Sequence, residues 1–368
     1  MHGTRRRPER DIGILSPSLA ARSLAWLAWA LVVLTIVPGG GTARAQATPP
    51  PATPAVAPAS SLGWEDDFET EDGTLNVATT VAPISSIVRN VGGTLVDVHG
   101  VVPDGTNSHT FEPAPSDAAL LSRADLVIVN GLALEEPTIA LAEANLREGE
   151  AIYRLGEGTI SPDEWAFDFS FPEEEGDPNP HLWTSVPFAL RYAELVAGWL
   201  SGRDPANAAA YAANLDAFRL RLQALDAGIR AAIGTVPEAN RKLLTYHDSW
   251  AYFAREYGMA VVGAVQPSDF SEPSAREVAD LIEQIRTESV PAVFGSEVFP
   301  SPVLEQIAAE AGATYVDGLR DDAPPGEPFS PDHTYVGMML TNMALMVPAL
   351  GGDAAALATV PAWDTYVV

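Results

Sequence analysis

The sequence contains no cysteine. A thiolate metal site, a disulfide scaffold and a cysteine nucleophile are therefore excluded. A lipidated amino terminus of the bacterial lipoprotein kind has no residue to carry it. Any transition metal must be held by nitrogen and oxygen. Positive charge is scarce too: 21 lysines and arginines stand against 49 acids, a formal net charge of −28. Such a surface repels phosphate backbones, so nucleic acid is not an expected partner. Two catalytic signatures are also missing. No HExxH puts a glutamate base beside a histidine pair, as a zinc hydrolase requires. No G-x-S-x-G forms a nucleophile elbow. His247-Asp248-Ser249 has the residue types of a triad, but consecutive residues at one strand–helix junction cannot face one another. The chain reads as a binding protein, not an enzyme.

Histidine is rare, with six in the whole chain, and four of the six fall in a pattern. His109 lies in SHTFEPAPSD, His181 in NPHLWTSV, His247 in LLTYHDSWAYF and His333 in SPDHTYVGMM. Each follows a segment that reads as a β-strand. His109, His181 and His333 sit in polar, turn-rich loops, where a packed core histidine is less common. Ligands of open α/β sheets bind beyond the carboxyl ends of the strands, and neutral imidazole is the commonest metal-binding side chain. The four are therefore expected to meet around one ion. Four imidazoles suit zinc, and four protein ligands leave no open position for a reactive water. His99, within the strand pattern VDVHG, reads as structural, and His2 lies in the leader.

The amino terminus has the form of an export signal. A basic stretch (Arg5–Arg10) precedes an apolar run from Leu24 to Val37 and an A-x-A site, with cleavage expected after Ala45. The run is short for a membrane span, which needs about 20 apolar residues. Residues 46–73 form a Pro/Ala-rich and then acidic linker. From Thr74 strand and helix patterns alternate, which implies parallel sheets with right-handed crossovers. Strands are expected at 75–81, 95–102, 125–130, 151–155, 242–246, 260–265, 292–296 and 314–316. In the middle, Tyr211, Leu215, Phe218, Leu222, Leu225 and Ile229 make one apolar helical stripe. A helix over 206–233 would be about 40 Å long, enough to span two lobes. The fold class is thus α/β: two parallel-sheet lobes, 74–203 and 238–368, joined by a long connecting helix within 204–237, with the metal site in the cleft between them. Ser116 is expected to cap a helix over 116–122.

At these same residues the chain resembles the zinc/manganese-type solute-binding proteins of ABC transporters. The resemblance runs from about Thr74 to the carboxyl terminus. It rests on HTFEPAPSD (109–117), NPHLWTSV (179–186), TYHDSWAYFAREYG (245–258), HTYVGMMLTN (333–342) and the helix start DPANAAAYAANL (204–215). It implies a metal buried between two lobes, delivery to a membrane permease, and a monomer in the periplasm or at the cell surface. It also implies ligands at His109, His181, His247 and the position of His333, where relatives often have a carboxylate; Asp332 is the alternative fourth ligand. Histidine at the third position tips the expectation to zinc, with manganese or ferrous iron as the alternative. A metal-binding adhesin or zinc chaperone shares the fold. Glu297, at a strand end, is a candidate to orient a histidine. The loop 167–180 is acidic where zinc-type relatives are often histidine-rich, and its Glu173, Glu174, Glu175 and Asp177 are candidates for weak cation capture.

Overall fold

In a computed structural model, residues 68, 73–266, 270–298, 302–328 and 330–365 are described. The expected signal, His2 and nearly all of the linker lie outside them. The first half runs β1 (Leu75–Thr79), α1 (Ala82–Gly92), β2 (Val96–Gly100), α2 (Pro115–Leu121), β3 (Leu126–Val129), α3 (Glu136–Asn145), β4 (Ile152–Arg154), α4 (Leu155–Thr159) and α5 (Val186–Arg203). Then comes α6 (Ala208–Thr235). The second half runs β5 (Lys242–Thr245), α7 (Ala251–Tyr257), β6 (Ala260–Ala264), α8 (Ala275–Glu288), β7 (Ala292–Ser296), α9 (Pro302–Ala311), β8 (Thr314–Leu319) and α10 (Tyr335–Ala349).

Each half holds one four-stranded parallel sheet, ordered β2-β1-β3-β4 and β6-β5-β7-β8. The two orders are the same. In each, successive crossovers leave the first strand in opposite directions, which opens a crevice at its carboxyl end. β3 and β7 are buried along their whole length, as central parallel strands covered on both faces must be.

The apolar stripe of α6 does what its spacing implies. Tyr211, Phe218, Leu222, Leu225 and Ile229 are buried, while Leu215 packs partly covered. At 28 residues the helix is about 42 Å long. One continuous apolar cluster takes in α1, α5, α6, α7 and α10, so both halves share a core along this helix. Two smaller clusters fill the outer faces, one under α8 and α9 and one under α2 and α3.

One local expectation changes, and one helix had no counterpart in the sequence reading. α2 begins at Pro115, so Ser116 lies inside the helix; the cap is made by Asp117, whose carboxylate accepts from the Ala114 backbone N–H at 2.7 Å. Apolar spacing did not mark α3, because only Thr138, Ile139 and Ala142 of its residues are buried. Ser274 caps α8 reciprocally with Glu277.

Candidate metal centre

The side chains of His109, His181 and His247 converge. Each offers a ring nitrogen within 4.8 Å of the others, the one such three-residue group among the described residues. The Nε2 atoms of His109 and His181 are 3.1 Å apart, as are those of His181 and His247. A tetrahedral ion with ligands at about 2.05 Å would need about 3.3 Å between them. His109 comes from the loop after β2, His181 from the loop after α4, and His247 from the turn after β5. The centre thus draws on both halves.

The outer ring nitrogens fix which way the lone pairs point. His181 Nδ1 donates to Asn179 Oδ1 at 2.8 Å, and His247 Nδ1 to Gln266 Oε1 at 2.8 Å. Asn179 cannot be turned round, because its Nδ2 already donates to the Asp248 carbonyl and to Asp168. In the neutral rings Nε2 of both histidines is then an acceptor. Two lone pairs 3.1 Å apart repel unless a cation lies between them. Burial first, and then the neighbouring His247, hold the His109 and His181 imidazoles well below their ordinary value, so they stay neutral.

A carboxylate lies beside one of these rings. Asp321 Oδ2 lies 3.5 Å from His247 Nε2, is buried, and has no hydrogen-bond partner among the described residues. An orphaned acceptor in a dry site is costly, and a cation would satisfy it. Burial and the adjacent Asp322 push this carboxyl above the usual carboxylate range. Its backbone is held from two sides. Trp183 Nε1 donates to the Asp321 carbonyl at 2.7 Å. Glu297 Oε1 accepts from the N–H groups of Asp321, Asp322 and Ala323 at 3.1, 3.2 and 3.1 Å. Asp322 in turn accepts from the Ser108 hydroxyl at 2.8 Å, tying the loop of His109 to the loop of Asp321.

His333 is not brought to this cluster. Its Nε2 lies 3.1 Å from Asp104 Oδ2 and its Nδ1 3.3 Å from the Pro325 carbonyl, so both nitrogens already face acceptors. Asp332 is exposed at a turn and is not brought to the cluster either; its backbone carbonyl accepts from the Thr334 N–H. Glu297 contacts the Asp321 loop rather than a histidine. Trp183 is fully buried and meets His181 edge-on at 5.1 Å, whereas Trp250 packs into the core on Phe253. The residues missed by sequence reasoning are Asp321, Asn179 and Gln266. Two signals pointed to the first two: Asp321-Asp322 follows the last strand in GLRDDAP, and an asparagine stands two residues before both His109 and His181. In each case its Oδ1 accepts the histidine's own backbone N–H, at 3.0 and 3.1 Å.

Two parallel-sheet halves with a shared core along one long helix, and a buried nitrogen-and-carboxylate cluster drawn from both, define a cleft-type cation-binding protein. Residues 77–349 match the family described as zinc-uptake complex component A, periplasmic, and the chain belongs to that family of metal-binding components of ABC transporters. Among its relatives is the manganese-binding lipoprotein MntA of Halalkalibacterium halodurans. It is 30% identical over 294 residues, covering 79% of this chain and 94% of the relative. The iron-binding protein YfeA of Yersinia pestis is 29% identical over 279 residues, covering 75% and 85%. Among solved structures, the periplasmic zinc binding protein TroA from Treponema pallidum superposes with a TM-score of 0.68 at 28% identity, covering 76% of this chain and 99% of that one. The family is one of exported substrate-binding proteins that work with a membrane permease. Its named cargoes differ between relatives.

Proposed function

We propose that this chain captures zinc through His109, His181, His247 and Asp321 and hands it to an ABC-type import permease. The observation that carries the reading is the convergence of the Nε2 lone pairs, two of them aimed by amide oxygens on the far side of the ring. Three imidazoles favour zinc over manganese by the ordinary order of divalent affinities. A fourth, anionic ligand offsets part of the cation's charge. With four protein ligands the ion would be enclosed, which serves carriage rather than reaction.

Manganese or ferrous iron is the second reading, and the Asp321 carboxylate is what favours it, since harder ions prefer oxygen. Relatives named for manganese, iron and zinc support both readings. Several relatives are named as lipoproteins, whereas this sequence has no cysteine to acylate; attachment by another means, or free diffusion outside the cytoplasm, follows from the proposal.

The test is elemental analysis of the purified mature protein, paired with competition between zinc and manganese. One zinc per chain, displaced only by a large excess of manganese, is expected. Preferential retention of manganese would replace zinc as the cargo, and no saturable binding of any divalent ion would reject carriage altogether.

A further inference from the structure

His109 is the one imidazole of the three that is not fully buried, and two phenyl rings cover it. Phe270, from the segment between β6 and α8, stacks on it with centroids 4.6 Å apart and planes 21° apart. Phe171, from the loop leading to His181, tilts against it at 5.5 Å. The two phenyls meet each other at 6.2 Å. One ring thus comes from each half of the molecule. Beyond them lies a cavity of about 160 Å³, lined by His109, both phenyls, Glu175 and Asp177 among others.

The two rings are held differently. Phe171 is buried, and its neighbour Ser170 is anchored to the opposite half: its N–H donates to Asp248 at 2.9 Å and its hydroxyl to the Gln266 carbonyl at 2.6 Å. Phe270 is only half-buried and has φ of +57°. A bulky residue in that region is an outlier. Strained conformations of this kind persist where the surroundings over-determine them, and they gather at ligand clamps. Here the surroundings are the stack on His109.

We infer that Phe171 and Phe270 form an aromatic door over His109, with Phe270 its moving leaf, and that this door sets the rate at which the cation enters and leaves the cleft. The inference rests on the cargo reading above. Water or a competing chelator must reach the ion before any ligand is exchanged, and a ring stacked on the outermost imidazole blocks that approach. Removing the leaf lowers the barrier in both directions, so loading and release accelerate together while the equilibrium affinity moves little.

The experiment is stopped-flow zinc release from the purified mature protein into excess chelator. Zinc loading and equilibrium competition titrations run alongside, for the parent, Phe270→Gly, Phe270→Leu and Phe171→Leu. Glycine adopts positive φ without strain, so Phe270→Gly is expected to fold. It should release and load zinc roughly tenfold faster, as a lid variant does, with a dissociation constant within about threefold of the parent. Phe270→Leu and Phe171→Leu should fall between the two. Parental rates in both Phe270→Gly and Phe171→Leu would overturn the door while leaving zinc carriage intact. Weaker affinity with an unchanged loading rate would make Phe270 a packing residue only, which also overturns it. A parent chain that binds no zinc removes the cargo reading and the door with it.

Discussion

Among the described residues, two regions place imidazole beside carboxylate, and they hold their ring nitrogens differently. At the centre, the outer nitrogens of His181 and His247 are tied to Asn179 and Gln266, which leaves the inner ones facing each other. Around His333, one ring nitrogen faces Asp104 and the other the Pro325 carbonyl. A cavity of about 160 Å³ does open there, lined by Arg89, His99, Asp104 and His333, but a guanidinium in the wall opposes a second cation. Residue type and a position near a strand end are therefore not sufficient. What distinguishes the regions is what the inner ring nitrogens face: other imidazoles at the centre, Asp104 around His333.

The sharpest way to break this comparison is to remove one imidazole from each region. His181→Ala should weaken zinc binding by more than the roughly 10–100-fold that loss of an outer partner costs, whereas His333→Ala should change it by no more than about twofold. Competition titration with a chromophoric chelator reads both, and equal losses would erase the distinction. Next in size is Asn179→Ala. The backbone N–H and ring of His181 both lose their acceptor, and affinity should fall roughly 10–100-fold with all ligands still present. Parental affinity would mean that lone-pair direction is set by something other than the amide.

The pH response sharpens the comparison further. In the metal-free centre His109 and His181 are lowered, by burial first, and so are neutral near pH 7. Asp321 is raised, by burial first and then by Asp322, and so is partly protonated there. A cation entering at that pH expels a proton from the carboxyl and not from these two rings. Affinity should therefore weaken as pH falls from about 7 to 5, with protons released on binding. Calorimetry in buffers of different ionisation heat measures the release. Asp321→Asn should abolish most of it, and undiminished release in that variant would assign the proton to histidine.

The smallest expected effect concerns Glu297. Burial, and then Asp321, push its carboxyl up to about 8, so at neutral pH it is largely protonated and Glu297→Gln keeps both its charge and its accepting oxygen. Zinc affinity should stay within about twofold of the parent. Glu297→Ala, which strands three backbone N–H groups beside Asp321, should cost about tenfold. Equal effects of the two substitutions, read by the same titration, would show that the carboxyl's acceptor role does not position the loop.

How much of this was legible in the sequence differs by element. The central strands β3 and β7 and the stripe of α6 were readable because burial on both faces, or on one helical face, leaves a period that needs no knowledge of the rest. α3 was not, since few of its residues face the core. At the centre, His109, His181 and His247 carried their own signal, being scarce, the first two loop-borne and the third at a strand end. His333 carried the same signal, and only its surroundings separate it from them.

The sequence by itself determined the class of fold, the absence of sulfur from any metal site, and the imidazoles available to meet a cation. The tertiary structure decided which of them meet. Strand order and crossover direction bring the ends of β2, β5 and β8 to one crevice, at separations in the chain that no local pattern encodes. It also placed Asp321, and not His333, beside the three imidazoles. A lone pair's direction and a carboxylate's lack of a partner depend on neighbours dozens of residues away, which only the folded chain brings within hydrogen-bonding distance.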